Sequence, residues 1–333
     1  MRSLVRMVLR GSLRRIRYIR AVPPGSAEPA VARVYAQARS DFGVVAPPTA
    51  LHSPAPRSLA ASWLLLRETL LAEGAVSRAA KEAVATAVSR ANTCPYCVEV
   101  HRAKLDTLPA DPGAADPRLT AWASAAGRGE PAEPPFTPDL APEICGVAVT
   151  FHYLNRMAAV FLDDSPVPAF APDFLRGPLM RTVVRGMRAD SPRRLAPGLS
   201  LDLLPAAPLP PGLSWALPAP HVAQALARAA AAVERGARSV PEDAKERLRT
   251  RLAEWDGTPP GVSRAWLGPA AGDLPAARLA LLTALAPYQV TEDDIAAFRR
   301  DHPTDRELIE LTSWAALTTA LHIGSRLTPA PRP

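Results

Sequence analysis

Thirty-eight prolines stand between the alanine- and leucine-rich runs of this chain and not inside them, and that placement limits how it can fold. Proline breaks the interior of a helix or sheet, yet it is tolerated in the first turn of a helix. Apolar residues in the intervening runs recur at helical spacing, and aromatics make up only 5% of the chain. The expected class is therefore all-α. No apolar run approaches the roughly 20 residues that a bilayer-crossing helix needs. A length of 333 residues suits about two domains of ordinary size, each able to bury a core.

Two of the three cysteines are spent two residues apart, in Cys94-Pro95-Tyr96-Cys97. The preceding stretch 77–91 reads as a helix. Asn92 and Thr93 interrupt it, and Thr93 or Cys94 then caps a second helix, with Pro95 in its first turn, running to about residue 105. At 100° per residue Cys94, Cys97 and His101 fall within about 60° of one another on one face. Both thiols then sit where unpaired N–H groups and the helix dipole favour a thiolate. His101 lies one turn below Cys97, within reach of its sulfur directly or through a water, and Glu82 on the preceding helix can orient the imidazole. Cα atoms about 5 Å apart across one turn also suit a disulfide. These four residues read as a redox site, with a Cys97 thiolate of depressed pKa as the nucleophile.

Other chemistries fit these residues less well. A zinc site would need a fourth ligand, and the chain offers no second C-x-x-C or H-x-x-x-H. A c-type haem needs histidine directly after the second cysteine, where Val98 stands. The tetrapeptide CPYC also occurs in glutaredoxins, but their fold places it after a strand, and here an alanine-rich helix precedes it. A structural disulfide, or two buried thiols beside a core histidine, is the plain alternative.

The run Lys81-Glu82-Ala83-Val84 through Val88-Ser89 and Asn92, followed by Cys94-Pro95-Tyr96-Cys97 and His101, resembles the signature of the alkylhydroperoxidase D-like (AhpD-like, carboxymuconolactone decarboxylase) superfamily. Its redox members carry E-x11-C-x-x-C-x3-H, and all four positions match. The stretch Phe151-His152-Tyr153-Leu154-Asn155-Arg156-Met157 is similar to the family's downstream helix with its Asn-Arg pair. The resemblance implies an AhpD-like helical fold and a cysteine-based peroxidase or thiol–disulfide oxidoreductase. Cys97 would be the peroxidatic cysteine, Cys94 the more exposed resolving one, and Glu82 with His101 the proton relay. It further implies a hydroperoxide substrate, a thiol or dithiol reductant and a homo-oligomer. One position departs: alkylhydroperoxidase D itself has histidine where this chain has Tyr96. Two other functions stay open, a non-catalytic redox-responsive or assembly protein that keeps the fold and disulfide, and a lactone decarboxylase like the cysteine-free members.

A net charge of +7 suggests nucleic acid until it is located. Residues 1–20 hold seven arginines and no acid, and the remainder carries 32 basic and 32 acidic side chains. Nucleic acid is therefore not an expected partner. The excess forms a basic amphipathic arm over residues 1–25, suited to packing on the body, to a membrane surface or to an acidic partner. Arginines interrupt every candidate signal-peptide core, and so few cysteines do not make a disulfide scaffold, so the expected compartment is the cytoplasm.

The chain also echoes itself. Gly74-Ala75-Val76-Ser77 followed by Ala80-Lys81-Glu82 returns as Gly236-Ala237-Arg238-Ser239 followed by Ala244-Lys245-Glu246. Each block precedes a long apolar helix, 142–162 and 306–327. The expected organisation is an AhpD-like unit over 26–190 carrying CPYC, a Pro-rich linker over 191–220, and a degenerate second unit over 221–333 with a Pro-rich tail. Cys145, His152 and His322 read as core residues. Asp163-Asp164 and Glu292-Asp293-Asp294 read as helix ends or caps. No phosphate loop or G-x-S-x-G elbow occurs, so no cofactor is expected and the sulfurs would be the redox centre.

Overall fold

The computed structural model describes residues 13, 15–128, 130, 132–167, 171–187, 195–268 and 274–327. Its longer helices are α1 (Pro29–Asp41), α2 (Pro56–Leu65), α3 (Arg78–Ala91), α4 (Pro95–Leu105), α5 (Pro117–Arg128), α6 (Ala141–Phe161), α7 (Asp173–Gly186), α8 (Pro220–Gly236), α9 (Glu242–Glu254), α10 (Pro275–Leu285), α11 (Glu292–Arg299) and α12 (Asp305–Gly324). No strand occurs among the described residues, so the chain is all-α. The prolines explain the boundaries: Pro29, Pro56, Pro95, Pro142, Pro220 and Pro275 each occupy the first or second helical position, where no intrahelical N–H is lost. Pro178, inside α7, is an exception.

The core forms around α6, which packs against α3 on one side and α12 on the other, while α2 packs against α8. Two glycines let these helices approach. A Cβ at Gly324 would lie 2.7 Å from Val149 Cγ2, and one at Gly146 would lie 2.9 Å from Val222 Cγ1. Between them Tyr153 on α6 meets Ser313 on α12 at 3.3 Å, hydroxyl to hydroxyl. One sequence expectation is corrected here. Helix α6 is long and apolar enough to cross a bilayer, but 94% of its apolar window is buried inside the protein. It is apolar all round because other helices surround it.

Several charged groups inside the core are paired. Helix α2 runs on through a π-helical stretch, Leu66–Leu71, that carries Arg67 and Glu68 inward. Arg67 meets Asp41 at 3.1 Å and Glu68 at 2.8 Å. Glu68 in turn accepts from the backbone N–H of Gly198 at 2.7 Å and from the Ser200 hydroxyl at 2.6 Å. These bonds and the buried Leu204, Leu213 and Trp215 make residues 195–219 a packed strap along the body; 188–194 lie outside the described residues. Near the start of α3, Lys81 reaches Glu143 of α6 at 2.6 Å, and Glu143 also accepts from the Ala75 N–H at 2.7 Å. A like contact occurs in the other half, where Glu310 of α12 accepts from Ser239 at 3.0 Å.

The end of the basic arm packs on the body. Ile16 and Ile19 are buried. Arg17 donates to the carbonyls of Ala159 at 2.8 Å and Val160 at 3.1 Å, so a guanidinium sits at the C-terminus of α6, where the helix dipole favours a cation. Residues 1–12 and 14, on which the membrane and acidic-partner readings mainly rest, lie outside the described residues, as does the tail 328–333. Glu292, Asp293 and Asp294 form the first turn of α11, with Asp294 closing a capping box with Thr291.

Candidate active site

The hinge between α3 and α4 places the cysteines. Ser77 caps α3, its hydroxyl accepting from the Ala80 N–H at 3.0 Å. The helix ends at Asn92, and Thr93 turns the chain with a left-handed φ of 52°, a strained value for a β-branched residue. The Cys94 N–H then folds back onto the Ser89 carbonyl at 2.9 Å. Cys94 becomes the N-cap of α4 and Pro95 its first residue.

Cys94 and Cys97 are free thiols, 1% and 5% exposed, and they lie close enough to influence each other's ionisation. Two expectations change. Cys94 is not the more exposed sulfur, because the N–H bond to Ser89 draws it beneath the end of α3. Nor is the Cys97 pKa depressed in this reduced pair. The Cys94 thiol beside it, burial and the charge of a Cys94 thiolate all push the Cys97 thiol well above its ordinary value, while Asn155 acts the other way. Two neighbouring sulfurs in a buried place cannot both ionise, so they titrate as a pair. Burial also pushes the neighbouring Tyr96 phenol up. Tyr96 keeps its proton and cannot carry charge as an imidazole would.

Glu82 and His101 are brought together. The His101 Nδ1 lies 2.7 Å from Glu82 Oε2, and the ring stands edge-on to Phe151 with centroids 4.5 Å apart. Arg78, one turn before Glu82, grips its other oxygen through Nε at 2.8 Å and Nη2 at 2.6 Å. Burial pushes the Glu82 carboxyl up, but Arg78 and His101 outweigh it and hold the group down at about 2. Glu82 is therefore a permanent carboxylate at neutral pH. His101 must donate its Nδ1–H to it, which leaves Nε2 for proton exchange. Among the described residues no direct hydrogen bond runs from His101 to either sulfur.

The depressed Glu82 has a consequence for stability. A carboxyl held at about 2 in the folded chain, against an ordinary 4.5, stabilises the fold above pH 4.5, and that contribution disappears as pH falls toward 2. Its size is on the order of 3 kcal/mol. The difference in unfolding free energy between the wild type and Glu82→Gln, measured by urea denaturation, should shrink as pH falls from 5 toward 2. A pH-independent difference would show that Glu82 titrates normally in the folded protein.

Sequence reasoning missed Arg78, although its position four residues before Glu82 on one helix is a legible ion-pair spacing. It also placed Asn155 in a motif without a role and His152 in the core. Both lie on α6, and with Asn92 and Ser89 they form a hydrogen-bonded group beside the α3–α4 hinge. Cys145 is fully buried with its thiol pushed up by burial alone. His322 stacks on Trp255.

A helical fold built around one long apolar helix, with a buried C-x-x-C opening a neighbouring helix and a Glu–His pair beside it, belongs to a recognisable class. Residues 57–127 match the model of the carboxymuconolactone decarboxylase family. The chain is also 39% identical, over 330 residues, to alkyl hydroperoxide reductase Rv2159c of Mycobacterium tuberculosis, an alignment that covers 93% of this chain and 94% of that protein. The chain belongs to the carboxymuconolactone decarboxylase, or AhpD-like, family.

Proposed function

We propose that this protein is a cysteine-based peroxidase that reduces hydroperoxides through Cys97 and Cys94. The observation that carries the proposal is the Glu82–His101 bond of 2.7 Å set beside a helix whose first turn holds both thiols. The name of the relative, an alkyl hydroperoxide reductase, supports the same chemistry. Because the resting Cys97 thiol is held up, its proton has to be removed as substrate arrives. His101, oriented by an ionised Glu82, accepts it at Nε2 through the peroxide or a bridging water. The Cys97 thiolate then attacks one peroxide oxygen. The S–O bond forms, the O–O bond breaks, and the leaving alkoxide takes the proton back from His101 as an alcohol. Cys94 next attacks the Cys97 sulfenic acid, an S–S bond forms, and water leaves with the Cys94 proton and the sulfenic oxygen. A thiol or dithiol reductant returns the disulfide to two thiols with two electrons and two protons.

The second half, residues 221–333, is a degenerate copy of the first that has kept its packing and lost its chemistry. Its long helix α12 stands against α6, its Glu310 bonds the repeated Gly236-Ala237-Arg238-Ser239 block as Glu143 bonds the Gly74 block, and it contains no cysteine.

Thiol titration tests the proposal. One equivalent of an organic hydroperoxide should remove two titratable thiols, lower the mass by two hydrogens and leave the far-ultraviolet helical signal unchanged, with dithiothreitol restoring both thiols. Thiols that resist the peroxide in the folded protein would leave a structural role for the pair.

A further inference from the structure

Helix α7 lies on α4, the helix that opens with the thiols. Met180, Val183 and Val184 form its buried face. Lys104 of α4 donates to the Val184 carbonyl at 3.3 Å and to the Met187 carbonyl at 2.8 Å, which sets a cation at the C-terminus of α7. The outer face is of a different kind. Phe174 and Leu175, in its first turn, are 77% and 45% exposed, and no other exposed large apolar residues among those described are neighbours in the chain. Arg181 and Arg185 follow Phe174 at seven and eleven residues, on the same stripe of the helix. Both are exposed, and among the described residues neither forms an ion pair. Arg181 folds back along α7, its Nη1 3.5 Å from where a Cβ on Gly177 would stand. The basic arm joins the body beside this helix. Arg15 donates to the Pro166 carbonyl at 2.7 Å, and the adjoining Ser165 hydroxyl oxygen accepts from Arg176 of α7 at 2.9 Å. Residues 1–20 hold seven arginines and no acid.

We propose that the outer face of α7, with the basic arm attached beside it, docks this protein on an anionic lipid bilayer. Phe174 and Leu175 enter the boundary of the acyl region, while Arg181 and Arg185 meet lipid phosphates. Apolar side chains and unpaired cations on one exposed stripe fit a surface that is itself apolar below and anionic above. Other occupants fit less well. A second copy seated about a two-fold axis would bring the arginines of one α7 toward those of the other. A purely apolar groove would take Phe174 and leave the guanidinium groups unmatched. Because the inner face of α7 carries α4, docking also holds the thiol helix near the bilayer, where apolar hydroperoxides collect. That last consequence rests on the peroxidase reading; the docking does not.

Vesicle flotation of the full chain tests the proposal without peroxide. Vesicles of phosphatidylcholine mixed with phosphatidylglycerol should carry the protein at low salt, and pure phosphatidylcholine should carry far less. With the arm intact, Phe174→Ser combined with Leu175→Ser should weaken binding roughly tenfold or more, and so should Arg181→Gln combined with Arg185→Gln. All four side chains face solvent, so the helical signal and melting temperature should stay at the parent values. Val262→Ser, which removes an apolar side chain 93% exposed on another part of the surface, should leave flotation unchanged. A chain that does not float, or that floats equally well in both double variants, would overturn the proposal. Flotation that depends on the arginines and not on Phe174 and Leu175 would also overturn it, in favour of an acidic protein partner. So would a dimer, seen by sedimentation without lipid, that the Phe174 and Leu175 changes dissociate. The two readings fail separately: a protein that floats but consumes no hydroperoxide sinks the peroxidase alone, and an active peroxidase that does not float sinks the docking alone.

Discussion

Cys97→Ser is expected to abolish hydroperoxide consumption, and Cys94→Ser is expected to leave a sulfenic acid on Cys97 that dimedone traps. The first effect is a total loss because, in this reading, Cys97 is the attacking sulfur and Cys94 only resolves the sulfenic acid it forms. Cys145 is fully buried with its thiol pushed up, and serine is not oxidised by peroxide. The second follows because a sulfenic acid without a neighbouring thiol cannot condense to a disulfide. The closeness of the two thiols makes the experiment discriminating. It raises the Cys97 thiol when Cys94 is ionised, so the sulfur that attacks is decided by which one loses its proton on substrate binding. Mass spectrometry of dimedone adducts in the two single variants reads the answer. A Cys94 adduct in Cys97→Ser, with none on Cys97 in Cys94→Ser, would reverse the assignment of attacking and resolving cysteine.

Much of this site was legible because helices convert spacing into direction. The distance from Glu82 to Cys94, the two residues between the cysteines and the three before His101 put the four groups on two adjoining helices, and Glu82 and His101 do meet. The helix breaks were legible for a similar reason, since a proline that cannot sit inside a helix marks its first turn. What the sequence hid is whatever depends on a third element. Arg78 lowers Glu82 from within the same helix, and its spacing was visible. Asn155 and His152 lie on α6, more than fifty residues along the chain, and nothing in the local pattern shows that they hydrogen-bond with Asn92. The fall in Cys97 acidity was hidden too, because a helix N-terminus predicts a stabilised thiolate and only packing reveals a second thiol close beside the first. The π-helical stretch at Leu66–Leu71, which turns Arg67 and Glu68 inward, has no sequence signature of its own.

Ala316→Asp should be among the most destabilising single changes in the chain. Ala316 is 0% exposed, on the helix that packs against α6, and it belongs to a core shared by both halves. A carboxylate there would be shut away from water in the apolar core, and an unpaired buried charge costs several kcal/mol. Against a total stability of about 5–15 kcal/mol for an ordinary domain, a loss of about 3–5 kcal/mol should lower the urea midpoint sharply or leave the protein insoluble. Ala316→Ser, with one neutral hydroxyl able to bond a carbonyl of the preceding turn, should cost much less. The same logic predicts the fate of a chain ending at residue 197. It would lose α8 and α12, uncovering the apolar faces of α2 and α6, and should self-associate through them. The thiols would be affected only through that loss of order, since none of their hydrogen-bond partners lies beyond Arg156. If Ala316→Asp unfolds at the wild-type urea concentration, the α6–α12 core is not the common support of the two halves. A monomeric, fully active 1–197 fragment would go further and make the second half an independent domain with a function of its own.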